Sequence, residues 1–255
     1  MNVLTRRKKI LELLKSEIDI NVEKLAHTLK VSTPTIYRDL KYLEKNNLIN
    51  RNIINYESSN VSNINHSFSR RLDTNTGHKK AIAHEAVKLI NEKDIIAIDA
   101  SSTCYYLCKE LKNIDIELTI FTNSVYIPVE LMSKPNYKVI VTGGILNREI
   151  ASLVKTPIKD LLKNVHLNKF FLSAIAMSPE LGIFDEYGMD DIVVRQEFFN
   201  ISKENILLID STKFSVSGTY NWASCESINT VITNKDLDKD NIRKLKNKNF
   251  NLILV

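Results

Sequence analysis

Four short polar clusters stand out because each follows an apolar run and each carries groups that bind anions. They are Asp99-Ala100-Ser101-Ser102-Thr103, Thr122-Asn123-Ser124, Gly143-Gly144 and Asp210-Ser211-Thr212-Lys213-Phe214. Hydroxyls placed where a helix begins add donors to its free N–H groups and partial positive charge, which together make a phosphate cradle. A Gly pair lets a ligand approach the backbone closely, and Lys213 brings an ammonium to the same rim. Taken singly, each cluster has an ordinary structural use: a helix cap, a turn, a tight loop, a solvated lysine. Their recurrence at successive strand ends favours one shared pocket, and its chemistry suits a small phosphorylated anion.

A second constellation lies near the amino terminus. Ser32 is placed to cap a helix that tolerates Pro34 in its first turn and runs to about Asn47. Ile36, Leu40 and Leu43 repeat at i, i+4 and i+7 and must face a core, so Thr33, Thr35, Tyr37, Arg38, Lys41 and Tyr42 fall on the other side. Hydroxyls and an arginine at the start of such a helix reach base edges in a major groove, while lysine and the helix N-terminus hold phosphates.

The elements that position these groups follow from periodicity. Ile10, Leu13 and Leu14 stripe a first helix whose other face carries Arg6, Lys8, Lys9, Glu12 and Lys15. Asn21 caps a second helix, Val22 to Leu29, and the Ser32 helix is the third. Leu48–Arg51 and Ile53–Tyr56 read as two short strands about an Asn-containing turn, a wing that would include Arg51. Residues 57–76 are rich in Ser and Asn, the composition of a solvated linker, with a short ordered piece expected at Phe68 to Leu72. Helix resumes near His78. Beyond it, apolar runs suited to buried parallel strands occur at Ile95–Asp99, Leu118–Thr122, Tyr137–Thr142, Phe170–Ala174, Ile206–Asp210, Thr230–Thr233 and Asn251–Val255. Helical segments at Cys104–Leu111, Val125–Met132, Pro157–Lys163, Asp190–Ser202 and Asp240–Asn247 separate most of them. This alternation predicts a doubly wound, mostly parallel α/β sheet, with ligands beyond the carboxyl ends of its strands. The expected domains are 1–56, the linker 57–76, and 77–255.

Composition narrows the partners. The chain has 255 residues, 44% hydrophobic and 25% charged, which excludes disorder as its main character. Its net charge is only +5, yet residues 1–57 hold eleven Lys or Arg against seven Asp or Glu, so nearly all the excess lies in the first quarter. A local basic field attracts nucleic acid. No stretch approaches the roughly 18 apolar residues of a membrane span, and no apolar leader follows the first basic residues, so a cytoplasmic protein is expected. Cys104, Cys108 and Cys225 have neither disulfide nor zinc spacing and read as small buried hydrophobes; no metal and no cofactor is implied.

Residue order adds a resemblance. Arg6–Lys15, Val22–Ala26 and above all Val-Ser-Thr-Pro-Thr-Ile-Tyr-Arg-Asp-Leu-Lys-Tyr-Leu-Glu (31–44) resemble the helix-turn-helix of DeoR-type bacterial transcriptional regulators. The later chain is similar to the effector domain of the same regulators, itself related to the sugar-phosphate isomerase fold. The matching stretches are Lys80–Ala83 through Ala86, Asp99–Thr103, Thr122–Ser124, Val141–Gly144, Asp191 with Arg195, and Asp210–Phe214. The resemblance implies a winged helix-turn-helix that binds a double-stranded DNA operator. It also implies a domain that senses a phosphorylated sugar or related metabolite, and a homo-oligomer, dimer or tetramer. By position, Asp99, Ser101, Ser102, Thr103, Thr122, Asn123, Ser124, Gly143, Gly144 and Lys213 would line the effector site, with Arg195 as a second cation. Ser32, Thr33, Thr35, Tyr37, Arg38, Lys41, Tyr42 and Arg51 would meet DNA.

Four stretches depart from the family's habit. Tyr37 stands where Arg is common, Arg51-Asn52-Ile53-Ile54-Asn55 where the wing usually ends in Arg, His and two glycines, Ser101 where Gly is usual, and Ile175 in place of an Asp within a Gly-Ala-Asp-Gly stretch. The alternative to a regulator of a sugar or polyol operon is a sugar-phosphate isomerase with a helical extension. Isomerisation needs a positioned acid and base, and the position most expected to carry one is Ile175. No histidine makes good the loss.

Overall fold

A computed structural model describes residues 3–16, 22–45, 68–186, 188–214 and 218–255. Contacts divide the chain into two compact units, residues 1–65 and 66–255. In the first, α1 (Val3–Ser16), α2 (Val22–Leu29) and α3 (Thr33–Lys45) enclose a small core of Ile10, Leu25, Ala26, Leu29, Ile36, Leu40 and Leu43. The turn from α2 into α3 is made by Lys30 at φ 51, with Val31 N–H donating to the Ala26 carbonyl at 3.0 Å, a left-handed helix stop. Ser32 Oγ lies 2.9 Å from Thr35 Oγ1, and the Ser32 carbonyl accepts from the N–H groups of Thr35 and Ile36. The expected wing strands, and Arg51 with them, lie outside the described residues.

The second unit begins with α4 (Phe68–Asp73) and α5 (Thr76–Val87). The linker expected over 57–76 therefore has a helical end: Phe68 is buried, its ring stacked on Tyr126 at 4.8 Å and edge-on to Tyr105. Residues before 68 lie outside the described set. Seven strands form the central sheet: β1 (Ile95–Ile98), β2 (Leu118–Thr122), β3 (Tyr137–Val141), β6 (Leu167–Leu172), β9 (Ser202–Leu208), β11 (Thr230–Thr233) and β12 (Asn251–Leu254). Their order is β12-β11-β9-β6-β1-β2-β3, and every neighbouring pair is parallel. Chain direction across the sheet reverses between β1 and β6, which is where open α/β sheets leave a crevice for ligands.

Helices cover both faces. Ile96 and Ile98 point into one core with Ile82, Ala86, Leu107, Ile120 and Leu131, contributed in part by α5, α6 (Ser102–Leu111) and α7 (Tyr126–Leu131). Ala97, Phe170, Leu172, Leu207 and Ile209 point into the other with Leu162, Val194, Phe198 and Leu245, from α8 (Ile158–Leu162), α9 (Met189–Ile201) and α10 (Lys239–Lys246). This two-sided burial explains why the strands read as continuous apolar runs. All three cysteines are buried and unpaired, and burial pushes the Cys104 and Cys108 thiols well above the ordinary range.

Two small antiparallel additions were not legible beforehand. One is the hairpin β4 (Ile145–Asn147) with β5 (Ser152–Val154); the other is the ribbon of β7 (Ala176–Ser178), β8 (Gly182–Asp185) and β10 (Tyr220–Ala223). Both rise from the carboxyl end of the main sheet and supply partners to the polar clusters.

Candidate functional site: a helical DNA face and a polar sheet rim

On α3, burial of Ile36, Leu40 and Leu43 leaves Arg38 exposed, Tyr42 largely exposed and Thr35 half-buried, three residues spaced along one face. Ser32 is exposed at the helix start. The side chains of Thr33, Tyr37 and Lys41 lie outside what the structure describes. Asp39 was not singled out by the sequence, and it is the most constrained polar group of this unit. Its carboxylate is buried and accepts from Arg6 Nε at 2.5 Å and Arg7 Nε at 2.8 Å. Arg6 therefore does not belong to the solvated face of α1. Burial disfavours the Asp39 carboxylate, but the two arginines outweigh that and hold its pKa below the usual value. The available signal was a carboxylate on the same stripe as Ile36 and Leu43, opposite an Arg-Arg pair.

In the second unit, the strand-end clusters converge on the rim. Ser101 caps α6, its Oγ accepting from Cys104 N–H at 3.1 Å, with Ser102 and Thr103 buried in the first turn. Thr122 Oγ1 accepts from Ser124 N–H at 3.0 Å, and Ser124 Oγ accepts from the N–H groups of Tyr126 and Ile127 at the start of α7. Asn123 donates from Nδ2 to Ser152 Oγ at 2.8 Å and Asp191 Oδ1 at 3.2 Å, which leaves its buried Oδ1 without a partner among the described residues. Gly143 and Gly144 are exposed at the root of the β4–β5 hairpin with φ of 70° and 111°. A Cβ on Gly144 would stand 2.3 Å from the Val154 carbonyl oxygen, so only glycine closes that root.

After β9, Asp210 accepts from Thr212 N–H at 3.1 Å and from Asn75 Nδ2 at 3.3 Å, which seats the α4–α5 turn on this strand end. Lys213 is half-buried in the 3-10 turn Ser211–Phe214. Beside it the sequence reading missed Lys79. Its side chain is buried at the start of α5, and Nζ donates to the Arg71 carbonyl and, at 2.7 Å, to that of Thr74. Desolvation lowers its pKa to about 8 despite the attraction of Asp210, with Lys213 and Arg71 adding repulsion. The Lys79-Lys80 pair in the first turn of a helix was its only sequence signal.

Asp99 and Arg195 occupy the switch point itself. Asp99 Oδ1 accepts from Ser101 N–H and Oδ2 from Ser173 N–H, both at 2.9 Å, so one carboxylate ties the end of β1 to the end of β6. Arg195, expected as a second cation for a ligand, is instead buried and matched internally. It donates to Asp185 and to the Ser173 carbonyl, lies 3.2 Å from Asp99 and 3.8 Å from Asp191, and covers the Trp222 ring at 4.8 Å. Burial alone would lower the guanidinium pKa; the three carboxylates reverse that and raise it. Asp191 is the least comfortable of the three. Desolvation raises its pKa to about 6 against the pull of Arg195, and its Oδ1 accepts from Ser152 Oγ at 2.8 Å. Ile175 is buried and apolar.

The rim is thus a ring of backbone N–H groups, hydroxyls and amides, flanked by Lys79 and Lys213, above a neutralised arginine. Among the described residues no His, Cys, Asp and Glu cluster has the make-up of a metal site. A shallow depression lined by Leu162, His166, Leu167, Asn200 and Lys203 lies at the opposite, amino-terminal edge of β6 and β9, away from these groups.

Comparison with known proteins agrees with this division of labour. Residues 6–54 match the DeoR-like helix-turn-helix domain and residues 74–235 the DeoR C-terminal sensor domain. The chain is 34% identical over 255 residues to the uncharacterized HTH-type transcriptional regulator YulB of Bacillus subtilis, covering 100% of this chain and 98% of that one. It is 31% identical over 232 residues to the L-fucose operon activator of Escherichia coli, covering 90% and 94%. To the HTH-type transcriptional repressor GlcR of Bacillus subtilis it is 30% identical over 226 residues, covering 89% and 86%. A solved ribose 5-phosphate isomerase A from Methanocaldococcus jannaschii aligns with 55% of each chain at 17% identity and a TM-score of 0.41, too distant to bear on activity. With both domain types matched in order along nearly the whole chain, the protein belongs to the DeoR family of transcriptional regulators.

Proposed function

We propose that this regulator represses a sugar or polyol catabolic operon, and that a phosphorylated sugar or related metabolite bound at the sheet rim changes its operator affinity. The reading rests on one observation. Hydroxyl, amide and glycine turns end four parallel strands on the same edge of the sheet, beside the lysine pair Lys79 and Lys213. In this reading the first turn of α6, with Gly143 and Gly144, presents N–H groups to the phosphate, the first-turn N–H groups of α7 being taken up by Ser124 Oγ, and Lys213 neutralises it. The orphan Asn123 Oδ1 accepts from a ligand hydroxyl. Arg195 acts indirectly, by holding Asp99 and so the geometry of the switch point.

The relatives support a carbohydrate operon as the target: one is named as an L-fucose operon activator and one as a repressor. On the DNA side, Ser32, Thr33, Thr35, Tyr37, Arg38, Lys41, Tyr42 and Arg51 are the proposed contacts. Each chain offers a single small DNA-binding unit, so operator recognition calls for a dimer or tetramer. A cytoplasmic location goes with this work; no helix among the described residues is long and apolar enough to cross a membrane. We read the chain as a sensor rather than an enzyme. Asp99 and Asp191 are occupied by their internal hydrogen bonds, and Ile175 offers no acid or base.

A thermal-shift screen of sugar phosphates and polyol phosphates against the full chain tests this. A binder at about 100 times its Kd should stabilise by about 2.7 kcal/mol, and Lys213→Ala should remove that shift. Stabilisation by phosphorylated and unphosphorylated sugars alike, unaffected in Lys213→Ala, would overturn the assignment.

A further inference from the structure

The buried Asp39 has no part in the reading given above, and its partners are unusual. A carboxylate on the core-facing stripe of α3 costs stability unless it is paired. Here it is paired twice, to Arg6 and Arg7, whose side chains are 11% and 20% exposed. Their neighbours Lys8 and Lys9 remain exposed. The Arg7 guanidinium also lies 3.5 Å over the ring of Tyr42, one α-helical turn beyond Arg38 on the exposed face of α3. Asp39 thus sits at the root of a chain of contacts that ends on a residue of the DNA-facing surface.

Two consequences follow for recognition. Phosphate contacts from arginine raise affinity for every DNA sequence and carry no base information. Discrimination depends on the ratio of specific to non-specific affinity. A protein that ties down its two α1 arginines loses sequence-blind attraction, and one that fixes Tyr42 loses less entropy when that side chain meets its base or phosphate. We propose that Asp39 is a specificity-determining positioning residue: it withholds Arg6 and Arg7 from DNA phosphates and, through Arg7, fixes Tyr42 on α3. The proposal rests on α3 being the DNA-reading helix.

The test uses the full chain, a duplex selected by it from a random-sequence pool, and poly(dI-dC) as the non-specific probe, each titrated across a salt series. Asp39→Asn should bind poly(dI-dC) more tightly, with a log–log salt slope steeper by up to about 0.9 for each arginine released. Its affinity for the selected duplex should rise by less, because the gain at phosphates is offset there by the lost ordering of Tyr42, so the specificity ratio falls. Adding Arg7→Gln to Asp39→Asn should take back about half of the extra slope. Arg7→Gln alone should weaken the selected duplex and leave the non-specific slope unchanged. That variant keeps the proposal exposed even if Asp39→Asn fails to fold. A slope in Arg7→Gln lowered by about 0.9 would make Arg7 a phosphate contact and overturn the proposal. So would an Asp39→Asn protein that is less stable but has unchanged slopes, which is the mark of a purely structural pair. Arg38→Ala separates the two readings: unchanged binding of the selected duplex removes α3 as the reading helix, whereas its loss alongside unaltered Asp39→Asn slopes removes only the role of Asp39.

Discussion

Arg195→Met is the substitution whose consequence follows most directly from the geometry. The guanidinium is 5% exposed in its side chain and answers to Asp99, Asp185 and Asp191, whose side chains are 2%, 1% and 6% exposed. Methionine fills comparable space but leaves Asp99 and Asp185 without their cation. Breaking one side of a buried ion pair costs about 3–5 kcal/mol, because a charge stays in low dielectric uncompensated. Loss of the cation–π contact with Trp222 adds about 0.5–2 kcal/mol. In a folding unit of this size each kcal/mol moves Tm by about 2–4 °C, so the melting point at neutral pH should drop by about 7 °C at the least. The deficit should shrink in acid, where the orphaned carboxyls take up protons instead of standing charged. Arg195→Lys should fall between, since an ammonium keeps the charge but cannot reproduce the fork that reaches Asp185 and the Ser173 carbonyl together. Differential scanning calorimetry across pH reads all of this. A melting point at neutral pH within about 2 °C of the parent would refute the claim that Arg195 is an internal counter-ion.

Asp191 gives a pH signature of its own. Its folded pKa lies near 6, above the ordinary 3.8, so the folded state holds a proton that the unfolded state has already lost. The stabilisation is complete below the unfolded value and fades as pH rises through about 6, by up to about 3 kcal/mol at 1.36 kcal/mol per unit. Asp191→Asn keeps the Oδ1 acceptor for Ser152 and Asn123 and should flatten that decline in urea denaturation. An unchanged pH profile would show that Asp191 is not the titrating group. Gly144→Ala places a Cβ against the Val154 carbonyl at a φ that alanine resists, and should destabilise by about 1–3 kcal/mol or more. It should also weaken any ligand held by the glycine turn; a variant with parental melting and binding would show that the hairpin root relaxes freely.

Much of the architecture could be read in advance, for identifiable reasons. All seven strands of the main sheet and the five helices between them are buried on apolar faces, and burial is what periodicity reports. The small strands were invisible because they take their order from antiparallel pairing with one another, not from a hydrophobic repeat buried on both faces. The same limit applies to the site. Ser101, Asn123 and Lys213 sit in polar turns after apolar runs, where a scan of strand ends finds them. Asp39, Lys79 and the pairing of Arg195 with Asp99 and Asp185 became apparent only in the structure; for Asp39, burial by partners 32 and 33 residues away leaves no local pattern. Arg195 shows the converse: its position beside the rim was foreseeable, but whether its charge faces outward depended on Asp99 and Asp185, which arrive from other strands.

Whether the rim controls DNA binding is decided by operator affinity with and without effector. Fluorescence anisotropy on a duplex selected by the full chain, titrated in the presence of the phosphorylated sugar or polyol found by thermal shift, measures the coupling between the two units. Operator Kd should change by about 5–150-fold, the range of about 1–3 kcal/mol of coupling. Lys213→Ala should keep the effector-free affinity and lose the response. An operator Kd indifferent to every phosphorylated ligand that binds the rim, or a response that survives intact in Lys213→Ala, would contradict it.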